Sequence, residues 1–398
     1  MNDLRQTPGP MFNFAAGPAS LPSPVLEEAK EGLINWRGSG LSVLEMPFTG
    51  PEFGQILEET LSSLKQLLNL PSNYHALFLQ SGAYGQFALI PMNLLRGIGK
   101  ADYAVTGHWS ARAAAEARKY GSVNVVTDNS ESGFTTLPPV ESWTLDPGAA
   151  YCHITTNETA NGVQFHQLPD TGAVPLVADA TSDFLTKPID IARFGALYAS
   201  AQKNIGPAGL TIVIVRKDLV GDASSITPSV FNFGLLAASN SKVNTLPTWA
   251  IYIASLVFKW ILAEGGLEEM AKRNRNKARI LYEAIDSSDF YHCPTANDCR
   301  SRVNVVFGLP TKALEEAFLS LASERGLLNL RGHAALGGVR ASLYNAVSEE
   351  AVRTLIDFMD EFAAPRKRQV RRHSFSAIRK SVIVNDVTTK WRDKWEPA

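Results

Sequence analysis

The sequence predicts an α/β protein in which helices cover both faces of a mostly parallel sheet, followed by a smaller α+β region. The main observation is that short apolar runs alternate with stretches of helical periodicity between residues 75 and 215. Residues 268–364 instead combine one alternating strand with helices. The runs predicted to be strands are 76–79, 103–105, 123–126, 174–178, 196–199 and 210–215.

Helical patterns flank these runs. Ser23 followed by Pro24 predicts the start of a helix, with Ser23 as its N-cap. Leucine and isoleucine recur at helical spacing over residues 53–69, and residues 248–263 form a long apolar helix. Ser348 is predicted to begin a last helix, whose apolar stripe consists of Val352, Leu355, Ile356, Met359 and Phe362.

The chain of 398 residues is long enough for a large domain and a smaller one. We predict a large domain over residues 11–267 and a small α+β domain over residues 268–364. Residues 365–398 differ in composition, with ten Lys and Arg against three Asp and Glu. We expect this basic extension to be a solvated tail, while a kinase site at Ser374 or a nucleic-acid contact is an open alternative.

Composition excludes several classes of protein. With 45% hydrophobic residues, 19% charged residues and a formal net charge of −1, the chain has a globular composition. Apolar runs stay well below the length of a membrane span and no apolar leader follows Met1, so we expect neither a membrane partner nor secretion. The three cysteines are too few and too irregularly spaced for a disulfide framework or a zinc site. We therefore expect a cytoplasmic protein without a metal, and nucleic acid is not an expected partner.

Lys203 is the residue that says most about chemistry. It follows the predicted strand 196–199 and precedes the turn Gly206–Gly209. A lysine among small residues at the end of a buried strand loses hydration, which lowers its pKa toward the range where the neutral amine attacks a carbonyl. Asp179 ends the predicted strand 174–178. A lysine for an imine and an aspartate for a pyridinium nitrogen are the two groups that pyridoxal phosphate requires, so the pair points to this cofactor.

Four longer segments are distinctive as sequence motifs. They are Phe12–Ala19, Ala199–Gly209, Asn244–Thr248 and Gly337–Ala346. Together they resemble the phosphoserine aminotransferase family, which consists of fold-type I, class-V pyridoxal-phosphate enzymes, and the resemblance extends over residues 11–364. It implies a seven-stranded, mostly parallel sheet in the large domain, an N-terminal segment 11–20 that contacts the small domain, and a homodimer with an active site shared across the interface.

The resemblance also implies roles around the cofactor ring. Lys203 would hold pyridoxal phosphate as an imine and would act as the general base, while Asp179 would keep the pyridine nitrogen protonated. Trp109 would stack on the ring, which suits a large flat π-surface. Thr159 would hydrogen-bond the ring hydroxyl.

The cofactor phosphate is expected at the start of a helix, where free backbone N–H groups favour an anion. By resemblance, the donors would be the N–H groups of Ala83 and Tyr84 and the side chain of Gln202. In the family, residues matching Asn244 and Thr245 reach this phosphate from the other subunit. Some members carry an arginine at the position of Tyr84.

On the substrate side the chain departs from the family pattern. Arg340 matches the arginine that binds the substrate α-carboxylate through a bidentate guanidinium. Family members bind the substrate phosphate with two His-Arg pairs, one in an early loop and one in a late loop. The early pair is Phe48 and Thr49 here, and the late pair is His333 and Ala334. A desolvated phosphate without cationic partners is unfavourable, so phosphoserine is expected to bind poorly.

These residues lead us to expect an aminotransferase that acts on an amino acid, or its 2-oxo acid, with an uncharged side chain. Two alternatives remain open. One is a genuine phosphoserine:2-oxoglutarate aminotransferase of serine biosynthesis, with cations supplied from elsewhere, such as the basic extension. The other is a pyridoxal-phosphate lyase, decarboxylase or replacement enzyme. A cofactor-binding scaffold without activity is disfavoured by the presence of Arg340.

Overall fold

The computed structural model describes residues 10–366. Residues 367–398, which make up most of the predicted basic extension, lie outside the described residues. Within the described part, the strands are β1 Phe12–Asn13, β2 Tyr74–Leu79, β3 Lys100–Val105, β4 Ser122–Asp128, β5 Cys152–Thr155, β6 Asn157–Glu158, β7 Val163–Gln164, β8 Leu176–Asp179, β9 Ala196–Ser200, β10 Thr211–Arg216, β11 Asn304–Phe307, β12 Leu327–Leu328 and β13 Val339–Ser342. The α-helices of the same part are α1 Ser23–Ile34, α2 Pro51–Leu68, α3 Gly82–Leu94, α4 His108–Ala117, α5 Phe233–Ala238, α6 Thr248–Ala263, α7 Gly266–Asp286, α8 Lys312–Glu324 and α9 Glu349–Ala363.

The main sheet confirms the predicted α/β class. Across residues 10–366 it has seven strands in the order β2-β10-β9-β8-β5-β3-β4. The β10 strand runs antiparallel to both of its neighbours, and the other pairings are parallel. All six predicted runs are strands of this sheet. The seventh strand, β5, was missed because its four residues include His153 and Thr155, which are polar yet buried.

Both faces of the sheet are apolar, which explains why its strands read as continuous hydrophobic runs. Side chains alternate between faces along a strand. In β9, Leu197 and Ala199 belong to the hydrophobic cluster on one face, and Ala196 and Tyr198 belong to the cluster on the other. The first face is covered mainly by α2 and α6, and the second by α3 and α4.

A third hydrophobic cluster lies in the C-terminal part of the described chain. It contains the apolar faces of α7 and α9 and strands β11 and β13. Phe14 also belongs to it, and β1 pairs in parallel with β12, so the N-terminal segment packs against this cluster. The α7 helix crosses the predicted domain boundary, because Leu267 and Met270 join the first cluster while Ala278 and Leu281 join the third. The division at residues 267 and 268 stays a prediction.

The two predicted helix caps differ in outcome. The Ser348 hydroxyl accepts the N–H of Ala351 at 3.1 Å, which confirms Ser348 as the N-cap of α9. The prediction for Ser23 was wrong: Ser23 is the first helical residue, and Pro22 occupies the cap position without a side-chain hydrogen bond. The Pro24 ring fixes a helical φ at the second residue of α1, which favours the start of the helix without a side-chain cap.

In the described part of the chain, no single helix is long and apolar enough to cross a membrane. The consecutive helices α6 and α7, which are bent by 83° relative to each other, reach that length and apolarity only when taken together.

Candidate active site

Lys203 and Asp179 lie together at one edge of the main sheet. Asp179 ends β8, and its parallel neighbour β9 leads directly into the loop 201–210 that carries Lys203. The carboxyl ends of parallel strands meet at the same edge, which is where α/β proteins place their ligands. The N-terminal segment packs on this loop, because the Ala19 N–H donates to the Gln202 carbonyl at 2.9 Å.

The amine of Lys203 sits in a partly desolvated, polar environment. Its Nζ donates a hydrogen bond to the hydroxyl of Thr159 at 2.6 Å. Burial lowers the pKa of Lys203 to about 8, an effect opposed by Asp179 and reinforced by Arg340. At pH 7 about a tenth of the amines are therefore neutral, far more than for an ordinary lysine. This fraction suits a nucleophile that attacks an aldehyde.

Asp179 is a buried carboxylate that accepts hydrogen bonds from Thr181. It is 5% exposed, and its Oδ1 accepts the N–H of Thr181 at 2.9 Å. Burial raises the pKa of Asp179, while the Thr181 hydrogen bonds and the positive charge of Lys203 lower it. A protonated ring nitrogen placed beside this carboxylate would supply compensating positive charge.

Trp109 is held at the start of α4 by a carboxylate that sequence reasoning missed. Lys203 Nζ lies 6.0 Å from the centroid of the Trp109 ring. The Glu158 side chain accepts the backbone N–H groups of Trp109 and Ser110, each at 2.9 Å. Burial raises the pKa of Glu158 to about 7, although these hydrogen bonds oppose the shift. Glu158 directly precedes Thr159, so the two side chains fix the tryptophan and the lysine from one short segment.

The start of α3 provides backbone donors near the same place. Ala83 and Tyr84 lie in its first turn, where N–H groups have no partner within the helix. Gly82 has a φ of +68°, a left-handed conformation that favours glycine. Tyr84 is 52% exposed, and its ring stands edge-on to Trp109 at 5.7 Å between centroids. The Gln202 side chain accepts a hydrogen bond from Ser200 at the end of β9.

Arg340 approaches this cluster from β13. Its Nη1 donates to the backbone carbonyl of Thr159 at 3.5 Å, while its Nε has no hydrogen-bond partner among the described residues. Thr159 therefore contacts both Lys203, through its hydroxyl, and Arg340, through its carbonyl. The guanidinium is partly buried, which lowers the pKa of Arg340. A buried guanidinium with an unpartnered N–H fits the binding of a carboxylate.

The four residues at the positions of the family's two phosphate-binding His-Arg pairs lie in different parts of the structure. The His333 ring lies 4.4 Å from the ring of His108, at the start of α4. Ala334 is exposed in the loop between β12 and β13. Phe48 is half-buried against the core cluster of α2 and α6, and Thr49 beside it is exposed.

Asn244 and Thr245 are exposed in the segment between α5 and α6. The Thr245 carbonyl accepts a hydrogen bond from Gln80, just before α3, at 3.3 Å.

The residues at this edge fit pyridoxal phosphate by their chemistry. They combine a lysine of lowered pKa, a buried carboxylate, an indole ring, a hydroxyl and the unpaired N–H groups of a helix start. Over residues 10–366, no group of three or more His, Cys, Asp or Glu side chains could hold a metal ion.

Comparison with known proteins identifies close relatives. The family model described as aminotransferase class-V matches residues 11–355. A protein named phosphoserine aminotransferase from Laribacter hongkongensis is 51% identical over 354 residues, which are 89% of this chain and 98% of the relative. One from Nitrosomonas europaea is 49% identical over 361 residues, covering 88% and 98%.

Two solved structures similar to this chain are also phosphoserine aminotransferases. Phosphoserine aminotransferase from Bacillus circulans subsp. alkalophilus is 42% identical, with a TM-score of 0.88 over 90% of this chain and 99% of that one. The pyridoxal-phosphate-bound enzyme from Trichomonas vaginalis is 37% identical, with a TM-score of 0.85 over 88% of this chain and 100% of that one.

Proposed function

Because this chain belongs to the class-V aminotransferase family, a family of pyridoxal-phosphate enzymes, we propose that it transfers an amino group between phosphoserine and a 2-oxo acid. The observation that carries the proposal is the 51% identity to a phosphoserine aminotransferase. The match covers 98% of the length of that relative. Family membership establishes a pyridoxal-phosphate-dependent aminotransferase with small amino and 2-oxo acids as substrates. It does not favour the lyase, decarboxylase or replacement alternatives.

The residues around Lys203 are assigned roles that follow from their positions. When bound, pyridoxal phosphate supplies an aldehyde for the amine and an electron-withdrawing ring. Lys203 Nζ would hold the cofactor through its aldehyde, and the free amine would take the proton from the substrate α-carbon. Its lowered pKa keeps a fraction of the amine neutral for both tasks. Asp179 would hold a proton on the ring nitrogen, and Arg340 would bind the α-carboxylate.

Several groups would hold and orient the cofactor without moving protons. Trp109 would cover one face of the ring, and Thr159 would donate or accept a hydrogen bond at the ring hydroxyl. The N–H groups of Ala83 and Tyr84, with the side chain of Gln202, would bind the phosphate. Each of these residues lies at the carboxyl edge of the sheet or at the helix start that faces it.

The relatives support phosphoserine over the uncharged amino acid expected from the sequence, because proteins about half identical to this chain are named for phosphoserine. An uncharged substrate remains a second candidate. It is favoured by one observation, the neutral side chains of Phe48, Thr49 and Ala334 at positions where family members carry cations.

Steady-state kinetics of the holoenzyme separate the two candidates. Phosphoserine and alanine are each offered as amino donor with 2-oxoglutarate as acceptor, and the keto-acid products are quantified. The proposal predicts a kcat/KM for phosphoserine at least about 100-fold above that for alanine, which corresponds to one charge-assisted recognition contact. A preference for alanine would establish the second candidate.

We also propose that the active enzyme is a cytoplasmic homodimer in which Asn244 and Thr245 of one subunit complete the phosphate site of the other. Their exposure in the single chain supports this arrangement. Two inactive variants, Lys203→Ala and Asn244→Ala/Thr245→Ala, are mixed under conditions that exchange subunits. A mixed dimer would contain one intact site, so activity should reappear. Activity that stays at the level of the separate variants would contradict a shared site.

A further inference from the structure

One arginine and two histidines lie together at the start of α4, beside Trp109. His108 is the first residue of α4, and Arg112 follows at i+4, on the same helical face. His333 comes from the loop between β12 and β13. The His333 ring lies 4.4 Å from the His108 ring and 6.0 Å from the Trp109 ring. Sequence reasoning found His333 but neither of the other two.

Arg112 directs its guanidinium toward α3. Its Nη1 donates to the hydroxyl of Tyr84, and its Cζ lies 5.3 Å from the centroid of the Tyr84 ring. That ring is in turn edge-on to Trp109. Arg112 therefore places a positive charge beside Tyr84, the position of α3 at which some family members are expected to carry an arginine.

Burial and neighbouring charges lower the pKa values of both histidines. Burial, His333 and Arg112 lower the pKa of His108 to about 4. Burial, Arg340 and Arg112 lower the pKa of His333. Both shifts arise chiefly from burial, with further contributions from the neighbouring positive charges. An anion placed among these groups would pair with the Arg112 guanidinium and accept hydrogen bonds from the two imidazoles, so the cluster is suited to an anionic ligand and unsuited to another cation.

We propose that Arg112, with His108 and His333, binds the distal anionic group of the substrate while Arg340 holds its α-carboxylate. This inference rests on the proposed function and assigns its specificity. The ligand chemistry is a distal phosphate, as in phosphoserine, or a distal carboxylate, as in glutamate. A guanidinium suits either because its N–H groups form parallel hydrogen bonds to two oxygens. The cluster would supply the charge that Phe48, Thr49 and Ala334 lack.

The test measures binding of inorganic phosphate to the cofactor-saturated holoenzyme by calorimetry. The variants are Arg112→Gln and the control Arg118→Gln, an exposed arginine at the end of the same helix. We expect Arg112→Gln to weaken phosphate binding at least about tenfold, as loss of a charge-assisted bidentate contact should. Its KM for phosphoserine should rise by a similar factor, while kcat changes little and Arg118→Gln behaves as the wild type does.

Parallel kinetics identify the source of the anion. A rise in KM for both phosphoserine and glutamate supports a site shared by phosphate and carboxylate. A rise for phosphoserine alone supports a site that prefers phosphate.

Three results would overturn the inference. Arg112→Gln could bind phosphate as tightly as the control does. It could lose affinity for pyridoxal phosphate while the saturated enzyme still binds phosphate normally, which would assign Arg112 to the cofactor. Removal of residues 367–398 could abolish phosphate binding that Arg112→Gln retains, which would assign the role to the basic extension. A wild-type enzyme that binds phosphate through Arg112 but does not turn over phosphoserine would instead refute the proposed function and leave the anion site in place.

Discussion

The carboxylate of Glu158 accepts the backbone N–H of Trp109 at 2.9 Å, and so ties the indole that faces Lys203 to the segment that carries Thr159. The same carboxylate accepts the N–H of Ser110, which satisfies a second free donor at the start of α4. The buried Glu158 side chain, at the end of β6, thereby caps the N-terminus of α4. Its raised pKa makes this contact sensitive to pH.

We predict that Glu158→Gln removes a pH-dependent part of the stability. Since burial raises the folded-state pKa of Glu158 to about 7, the folded protein keeps a proton that the unfolded chain loses from about pH 4.5 upward. The free energy of unfolding should therefore fall as pH rises from about 4.5 to about 7, by up to about 3 kcal/mol from this group. Urea unfolding of the variant at several pH values measures the difference. Glu131→Gln, at an exposed glutamate, should keep the wild-type slope.

We predict that Arg340→Lys raises KM for the amino acid about 10- to 100-fold, because lysine keeps the charge but loses the bidentate geometry. The visible absorption of the bound cofactor should not change, since Arg340 is assigned to the substrate. Arg325→Lys, at an exposed arginine after α8, is the matched control. A variant whose KM stays at the wild-type value would show that another group binds the carboxylate.

Lys277 is expected to be a structural lysine that holds the segment after β13. It is 2% exposed, and its Nζ donates to the carbonyls of Leu343, Tyr344 and Val347 at 3.0, 2.8 and 2.8 Å. Replacement by methionine removes this donor from the carbonyls of Leu343 and Val347, while the Tyr344 carbonyl keeps the N–H of Val347 at 2.9 Å. Lys277→Met should therefore destabilise the protein by about 3 kcal/mol. Denaturant unfolding checks this value. Lys272→Met, on the exposed face of the same helix, should change stability by less than about 0.5 kcal/mol.

We predict that the amine of Lys203 in the apoenzyme becomes reactive near pH 8, because burial lowers its pKa to about that value. Competitive labelling with an amine reagent, read out by peptide mass spectrometry, gives the pH of half-maximal reaction. Exposed Lys217 reports the reagent's own pH dependence. Asp179→Asn should move the Lys203 midpoint to lower pH and Arg340→Gln should move it to higher pH, since Asp179 raises this pKa and Arg340 lowers it. Midpoints that ignore both substitutions would contradict the electrostatic account.

Much of the fold follows from the sequence because its strands are buried on both faces and therefore read as apolar runs. The exception, β5, is polar in sequence, and its His153 is accommodated by a hydrogen bond with the hydroxyl of Tyr198 at 2.9 Å. Such a partner on another strand leaves no local signal. The seven-stranded count came from resemblance to a family rather than from these runs.

The site was predictable where chemistry coincides with a strand end, as for Asp179 and the loop of Lys203. Glu158, His108 and Arg112 were missed because their meaning depends on contacts between elements. Glu158 is distinguished by the N–H groups of a helix 48 residues earlier in the chain, and Arg112 by its hydrogen bond to Tyr84. The roles of all these residues stay predictions until they are tested.

The most direct test of the account is to reduce the purified holoenzyme with borohydride and sequence its peptides by mass spectrometry. We predict that the pyridoxyl phosphate adduct lies on Lys203, and that Lys203→Ala retains no covalent cofactor. Recovery of the adduct on a different lysine, or of none in an enzyme that is saturated with cofactor, would contradict it.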